Sequence, residues 1–314
     1  MILCVAGNPS IDRLFEVERL AHGDIHRPEQ FVALPGGKGI HVAQVATTLG
    51  SEAIATGILA GHAGRWLDEE LGAEGVGRRF AWSAGETRSS LSVADRETGR
   101  LTEFYESGTP VSTDAWRELE EIVSGLLGGA SWLAIAGSLP PGAPDDGYAR
   151  LISAARGAGV ATALDSRGDA LERSLDSHPN LLKINAYEAG ELLERSISTV
   201  DEAHDAALTI HRRAGGGGHA TVITIGEQGV VAIDPAGTTR HARTQARGRY
   251  PVGSGDALLA GLLVALERGD PWPRALALAL GAAAANAESP GAGRLDPARA
   301  QELAAQTEMT DLSE

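Results

Sequence analysis

A glycine-rich stretch near the end of the chain contains residue types suited to chemistry. In "VGSGDALLAGLL", which begins at Val252, a flexible turn from Gly253 to Gly255 precedes an apolar run. Glycines allow the backbone N–H groups of Gly253, Ser254 and Gly255 to converge on an anion at the start of a helix. Asp256, the next residue, could accept a proton from a hydroxyl group beside that anion. The stretch predicts an anion hole next to a base, or a simple helix cap.

The two lysines form a second set of candidates. The chain has 27 lysine and arginine residues, of which only Lys38 and Lys183 are lysines. A compact ammonium suits a phosphate site because it acts as a point charge, whereas arginine presents a planar fork. Lys38 follows Gly36 and Gly37, and Lys183 lies two residues before Asn185. These neighbours favour a role for both lysines in phosphate binding over the alternative that lysine occurs at the two positions by chance.

Strands and helices alternate along most of the chain, and this order would position the candidates. It predicts a mostly parallel sheet covered by helices on both faces. Ligands of such sheets bind outside the carboxyl ends of the strands. The predicted strands are "ILCVAG", 53–59, "WLAIAG", "VATALD", "NLLKIN" and "ATVITIG". The predicted helices are "KGIHVAQVATTLG", 63–72, 112–127, 146–157, two within 186–213, and 256–268.

Two segments break the alternation. The stretches around 10–35 and 85–107 have short β-type patterns, including the hairpin "SSLSVADRETGRLTEFY". We interpret "NPSID" as a polar loop after the first strand and "FVAL" as a strand. These segments are expected to form a small β lid within one α/β domain that spans residues 1–314. The last residues of the chain are polar and are expected to fray.

Composition argues against several partners and locations. A formal net charge of −15 and a pI near 5.0 disfavour a nucleic-acid partner, which requires a basic face. Cys4 is the only cysteine, so no disulfide framework is expected and a reducing compartment is favoured. The sequence contains neither a signal-type segment nor an apolar run long enough to span a membrane. We therefore expect a cytoplasmic protein without nucleic-acid or membrane partners.

Three common motifs of other enzyme classes do not occur in the sequence. They are the Walker A pattern G-x-x-x-x-G-K-[ST], the dinucleotide-binding glycine triplet and the G-x-S-x-G elbow. A dinucleotide oxidoreductase would share the α/β alternation, but it would need the glycine triplet. It is kept as an alternative that a test of NAD(H) binding would detect.

The order of several motifs resembles the ribokinase-like PfkB carbohydrate kinases, and most of all their 1-phosphofructokinase and tagatose-6-phosphate kinase branch. "PGGKGIHVA", "GSLPPG", "LLKINAYE", "TIGEQG" and "VGSGDALLAG" occur in this order over nearly the whole chain. The resemblance implies a ribokinase-like three-layer α/β fold with a small β lid. It also implies phosphoryl transfer from ATP, with Mg²⁺, to a hydroxyl group of a ketohexose phosphate. Fructose 1-phosphate is favoured, and fructose 6-phosphate and tagatose 6-phosphate stay open.

The same resemblance implies roles for individual residues. Asp256 would be the catalytic base, and the amides of Gly253, Ser254 and Gly255 would form the anion hole. Residues on the sugar side would be Asp12, Gly36, Gly37, Lys38, His41, Arg88 and Ser138. Of these, Arg88 on the lid would bind the phosphate of the sugar. Residues on the nucleotide side would be Lys183, Asn185, Thr224, Gly226, Gly229 and Asn286. Asn185 and Glu188 would organise Mg²⁺ through water.

Three residues depart from the family pattern, and other functions stay open. His41 stands where the family usually has an asparagine that helps to read sugar hydroxyls, while Ile184 replaces a proline and Ser254 an alanine. One alternative is a kinase of an unphosphorylated sugar or nucleoside. Another is a sensor that binds a sugar or nucleotide without catalysis. The resemblance also implies a homodimer paired through the lid, and it leaves open whether a monovalent cation is needed.

Overall fold

The computed structural model describes residues 1–28 and 30–312. Their strands, numbered in chain order, are β1 (Ile2–Ala6), β2 (Ser10–Val17), β3 (Gln30–Gly36), β4 (Ala53–Ala60), β5 (Gly77–Arg78), β6 (Ala81–Ser83), β7 (Arg88–Asp95), β8 (Leu101–Tyr105), β9 (Trp132–Ala136), β10 (Ala161–Asp165), β11 (Leu181–Asn185), β12 (Ala220–Thr224), β13 (Val230–Ile233), β14 (Thr239–Arg243) and β15 (Glu308–Asp311). Their α-helices are α1 (Lys38–Thr48), α2 (Gly61–Ala73), α3 (Thr113–Leu126), α4 (Gly147–Gly157), α5 (Gly168–Leu175), α6 (Ala186–Leu193), α7 (Val200–Arg213), α8 (Ser254–Glu267), α9 (Trp272–Glu288) and α10 (Pro297–Ala304).

The central sheet contains eleven strands and is mostly parallel. Its order is β15-β14-β13-β12-β11-β10-β9-β1-β4-β5, with β6 paired to β4. The strands from β12 to β5 in this order run parallel, whereas β13, β14 and β15 pair antiparallel at one edge. "ILCVA" of β1 and "WLAIA" of β9 are apolar throughout, because helices cover both faces of a parallel sheet.

Two hydrophobic cores lie on opposite faces of this sheet. One contains Cys4 of β1 together with apolar residues of α1, α2, α8, α9 and α10. The other contains Leu3 of β1 together with apolar residues of α3, α4, α5, α6 and α7. Successive side chains of a strand point to opposite faces, so neighbouring residues serve different cores. The arrangement of helices, sheet and helices confirms the expected three-layer α/β fold, and Cys4 is buried within it.

A separate four-stranded sheet, called the lid sheet here, has the order β3-β2-β7-β8. One row of its register aligns Leu34, Asp12, Ser90 and Tyr105. The strands come from the two segments that broke the helix–strand alternation. The interpretation of "NPSID" as a loop is wrong from Ser10 onward, because β2 pairs with both β3 and β7 and these distant partners outweigh the local turn residues.

The structure also corrects the expectation for the end of the chain. Residues 308–311 form β15, which pairs with β14 from Arg240 opposite Asp311 to Arg243 opposite Glu308. The predicted fraying is therefore wrong for this strand, and residues 313 and 314 lie outside the described residues. In residues 1–28 and 30–312, no helix is long and apolar enough to cross a membrane.

Candidate active site

A cleft of about 900 Å³ lies between the carboxyl ends of the central parallel strands and the lid sheet. It brings together residues that are far apart in the sequence, including both glycine-rich stretches. The predicted site residues that line it are Asp12, Gly37, Lys38, His41, Arg88, Ser138, Lys183, Asn185, Glu188, Thr224, Gly253, Gly255 and Asp256. Most of the candidates chosen from the sequence therefore share one concave surface.

A second cavity of about 320 Å³ adjoins the cleft and shares Thr224, Pro251 and Gly255 with it. Three more predicted residues line this cavity, namely Gly226, Gly229 and Ser254. Its remaining wall is largely apolar and includes Leu258, Leu280, Ala283 and Ala287. A largely apolar cavity joined to a polar cleft suits a ligand with an aromatic end and a charged end.

Asn286 does not line either cavity, in contrast to its predicted place on the adenine side. Its side chain is fully buried. The Asn286 amide nitrogen donates to the Val252 carbonyl at 2.9 Å, and its oxygen accepts from the Gly293 N–H at 3.0 Å. Asn286 therefore holds the loop before α8 in place, and any influence on a ligand in the second cavity is indirect.

The two glycines at the start of α8 lie close to neighbouring side chains. Gly253 has a φ of 80°, and a Cβ there would lie 2.6 Å from Ala292 Cβ. A Cβ on Gly255 would lie 2.7 Å from the Lys183 ammonium nitrogen. The Ser254 N–H donates to the Pro251 carbonyl at 3.1 Å, so the predicted anion hole of three amides needs correction. In the described part of the chain, the Gly253 and Gly255 amides have no such protein acceptor.

The only two lysines of the chain meet at one buried carboxylate. Lys38 Nζ lies 2.6 Å from Asp165 Oδ1, and Lys183 Nζ lies 2.5 Å from Asp165 Oδ2. Lys38 also pairs with Glu188 at 2.9 Å, and it lines the cleft together with Asp12. Burial alone would raise the pKa of Asp165, but the two ammonium groups outweigh burial and lower it. The result is a fixed row of charges at the carboxyl ends of β10 and β11.

His41 lies between two carboxylates of the cleft. Its Nδ1 is 2.7 Å from Asp256 Oδ2, and its Nε2 is 3.0 Å from Asp12 Oδ2, although the latter contact is out of line for a hydrogen bond. Burial alone would lower the pKa of His41, but the two carboxylates outweigh burial and raise it to about 10. For Asp12, burial would raise the pKa, but His41 and Ser10 outweigh it and lower the pKa. His41 is therefore a cation at neutral pH.

The lid sheet contributes an arginine to the cleft. Arg88, the first residue of β7, donates from Nε to the Asn8 carbonyl at 3.1 Å. Its Nη1 donates to Ser90 Oγ at 3.2 Å and to the Glu106 carbonyl at 3.3 Å. These contacts hold the guanidinium at the wall of the cleft, and no carboxylate in residues 1–28 and 30–312 is hydrogen-bonded to it. Ser138 lines the same cleft, so an anion there could meet both side chains.

Asn185 and Glu188 form the N-terminal cap of α6. The Asn185 side chain accepts from the Glu188 N–H at 2.8 Å, and the Glu188 carboxylate accepts from the Asn185 N–H at 2.9 Å. Both side chains line the cleft. In residues 1–28 and 30–312, no three His, Cys, Asp or Glu side chains form a group that could hold a metal. The oxygens of this cap suit contact with a hard cation through water better than direct ligation.

The position of Asp165 at the end of the predicted strand "VATALD" indicates a place on the wall of the cleft, but Asp165 is instead the fully buried anchor of both lysines. Two other residues of the site escaped the sequence analysis. Tyr105 of β8 lines the cleft from the lid, as does Arg167 from the start of α5. Arg167 lies two residues after the carboxyl end of β10. Because ligands bind at that edge of the sheet, its position in the sequence could have marked it as a site residue. Nothing local in "LTEFY" distinguishes Tyr105 from a surface residue.

Comparison with known proteins identifies the class of this enzyme. Residues 3–299 match the family described as pfkB family carbohydrate kinase. Because this match spans nearly the whole chain, the protein belongs to the pfkB family of carbohydrate kinases. It is a sugar kinase, as the motif order predicted.

Solved structures agree with this assignment. Phosphofructokinase-2 from Escherichia coli, in complex with substrates and products, is 27% identical with a TM-score of 0.87, and the likeness covers 97% of each chain. Other structures of that enzyme show a fructose-6-phosphate complex, a potassium complex and a tetrameric inhibited form. A possible 1-phosphofructokinase from Thermotoga maritima is 21% identical with a TM-score of 0.90 over 99% of each chain. Arabidopsis thaliana ribokinase with ribose and ATP is 21% identical with a TM-score of 0.78 over 96% of this chain and 98% of that chain. These likenesses confirm the ribokinase-like fold.

Proposed function

We propose that this enzyme transfers the terminal phosphoryl group of ATP to a hydroxyl group of a ketohexose phosphate. The observation that supports this most is that one cleft contains Asp256, the start of α8, Lys183 and the lid arginine Arg88. A phosphorylated sugar and a nucleotide can therefore approach each other from opposite ends. The candidate acceptors are fructose 1-phosphate, fructose 6-phosphate and tagatose 6-phosphate.

Arg88 and Ser138 are the groups proposed to bind the phosphate already present on the sugar. A guanidinium held by backbone carbonyls is pre-organised, and its remaining N–H groups match the geometry of a phosphate. Asp12, Gly36 and Gly37 would hold the sugar ring. Gly36 packs directly against Asp12, because a side chain on Gly36 would collide with the Asp12 carboxylate. Fructose 6-phosphate binding by the E. coli relative supports a phosphorylated ketohexose as substrate.

Asp256 is proposed as the base that accepts the proton of the attacking hydroxyl group. It is 5% exposed and lies in the first turn of α8. The amides of Gly253 and Gly255 and the positive end of the helix dipole would stabilise the charge on the migrating phosphoryl group. Lys183 adds a positive charge against Gly255. Alignment and charge stabilisation are the main requirements of phosphoryl transfer.

The nucleotide would occupy the second cavity and the adjoining part of the cleft. Thr224, Gly226 and Gly229, which line the second cavity, would contact the ribose of ATP. Lys183 and Asn185, which line the cleft, would face its phosphates. Asn185 and Glu188 would hold Mg²⁺ through water molecules. When bound, that ion shields charge between the phosphates. A requirement for a monovalent cation stays a proposal, supported by the potassium complex of the E. coli relative.

The outer face of the lid sheet is proposed as a dimer interface. Phe31 is 57% exposed and Phe104 is 59% exposed, and Phe15 contacts Phe31 with ring centroids 5.3 Å apart. Their register puts them on the face of the sheet opposite to Asp12 and Tyr105. Exposed apolar patches of this kind mark association surfaces. The E. coli relative has a tetrameric inhibited form, and this supports the proposal that the present protein associates as well.

A coupled ADP-release screen tests the proposed function. It compares ketohexose phosphates with unphosphorylated sugars and nucleosides, with Mg²⁺ and ATP present throughout. We expect the highest kcat/KM with one of the three ketohexose phosphates. Turnover confined to unphosphorylated acceptors would contradict the role of Arg88. Binding without turnover over the whole panel would instead indicate a sensor.

A further inference from the structure

His41 differs from the residue that the family usually has, and the structure shows what this difference does. Its side chain is 4% exposed, with Nδ1 2.7 Å from Asp256 Oδ2 and Nε2 3.0 Å from Asp12 Oδ2. Nδ1 is hydrogen-bonded to Asp256, and Nε2 is buried beside the Asp12 carboxylate, although out of line for a hydrogen bond. The ring on α1 joins Asp12 of the lid sheet to Asp256 of α8.

We propose that His41 is a positioning residue which, as an imidazolium, ties the base Asp256 to the lid residue Asp12. This bridge would fix both carboxylates in the arrangement that the acceptor sugar needs. The proposal rests on the proposed function, because Asp256 acts as a base only in the phosphoryl transfer. It replaces the sequence-based expectation that His41 contacts the sugar directly.

The protonation state of the ring follows from its two partners. Only an imidazolium has an N–H on both nitrogens, whereas a neutral ring would turn a lone pair toward one of the carboxylates. The raised pKa of His41, about 10, agrees with this geometry. Within the described part of the chain, His41 is the only cation in ion-pair contact with Asp256. Its charge therefore offsets one of the two negative charges next to the acceptor.

The other charged groups around the bridge cannot take over this role. Lys38, one turn earlier on α1, is paired with Asp165 and Glu188. Arg88 on β7 attracts the Asp12 carboxylate electrostatically from the lid side, but its guanidinium is already held by backbone carbonyls. Without the imidazolium, the carboxylates of Asp12 and Asp256 would repel each other and the incoming phosphates. An asparagine at position 41 could donate a hydrogen bond but would supply no charge.

Nitrogen-15 NMR of the histidine rings tests the bridge without any need for turnover. We compare wild type with His41→Asn, which identifies the signal, and with Asp256→Asn. At pH 8 the His41 ring is expected to have both nitrogens protonated, and the signal should shift in Asp256→Asn. A neutral His41 ring at pH 8 in the wild type would overturn the proposal. Since this measurement needs no substrate, a wild type without kinase activity would count against the proposed function alone.

Kinetics of His41→Ala and His41→Asn test the positioning role. We expect His41→Ala to lower kcat by about 10–100-fold and to raise the KM for the sugar phosphate, with the KM for ATP within about twofold. His41→Asn should recover part of kcat, because it restores one donor. The control is His219→Asn, which removes another buried, hydrogen-bonded histidine just before β12, at the amino end of that strand. A kcat for His41→Ala within about twofold of wild type would overturn the proposal.

Discussion

Replacement of Asp256 by asparagine removes the proposed base while nearly preserving the size of the side chain. Asp256 lies in the first turn of α8 and is 5% exposed, with Oδ2 accepting from His41 Nδ1 at 2.7 Å. An asparagine oxygen can still accept that hydrogen bond, so the loop before α8 should keep its conformation. The substitution should therefore remove the ability to accept a proton while leaving the structure around residue 256 unchanged.

The size of the effect follows from what is lost. We expect kcat to fall by about 10²–10⁴-fold, the range for removal of a general base. This corresponds to about 3–5.5 kcal/mol of transition-state stabilisation. The free energy of unfolding should fall by only about 1–3 kcal/mol, since Asp12 still pairs with His41. Affinity for ATP should change little, because Lys183, Asn185 and Thr224 lie on other elements of the cleft.

The assay measures ADP release with both substrates saturating, and calorimetry measures ATP affinity of the same samples. The matched control is Asp114→Asn, which changes an exposed aspartate in the first turn of α3 and leaves the cleft intact. Its kcat should equal that of the wild type. If Asp256→Asn keeps kcat within about threefold of wild type, Asp256 is not the base and the reasoning from the start of α8 is refuted.

Four further predictions concern other parts of the protein. Arg88→Met should raise the KM for the sugar phosphate about 10–100-fold with the KM for ATP unchanged, and an unchanged sugar KM would refute phosphate binding there. Gly255→Ala should displace the Lys183 ammonium and weaken ATP binding in calorimetry, while Gly125→Ala, whose added Cβ meets open space, should not. Burial lowers the pKa of His219 to about 4 in the folded protein. The unfolded chain, in which this pKa is near 6.5, therefore binds a proton more readily, and the free energy of unfolding falls as the pH drops from about 6.5 toward 4. Between pH 7 and pH 4, the free energy of unfolding measured by denaturation should therefore fall by about 3 kcal/mol more in wild type than in His219→Gln. An equal fall in both proteins would contradict this role of His219. Phe31→Asp should convert the dimer to a monomer in analytical ultracentrifugation. A wild-type protein that is itself monomeric would argue against the lid interface.

The parts of the fold that follow local patterns could be predicted from the sequence. Apolar strands such as "ILCVA" and "WLAIA" are recognisable because a parallel sheet buries both of their faces. The start of β2 at Ser10 and the whole of β15 were missed, because they depend on distant pairing partners that a local pattern does not contain. Ser10–Val17 pairs with strands that start at Gln30 and Arg88, and Glu308–Asp311 pairs with Thr239–Arg243.

The candidate site divides in the same way. Asp256 and its glycines were found because their types and order are local, and the cleft contains Asp256, Gly253 and Gly255 as expected. The contacts of Lys38 and His41 could not be found locally. Their carboxylate partners, Asp165 and Asp256, are 127 and 215 residues away in the sequence, and only the folded sheet and helices bring them together.

Transfer of a labelled phosphoryl group tests the central claim most directly. ATP carrying a labelled terminal phosphate is incubated with the wild-type enzyme, Mg²⁺ and each ketohexose phosphate, and the products are separated. If one cleft aligns both substrates, the label should appear in a ketohexose bisphosphate, and Asp256→Asn should slow its formation. Label found only in inorganic phosphate, or remaining in ATP with all three acceptors, would contradict the account.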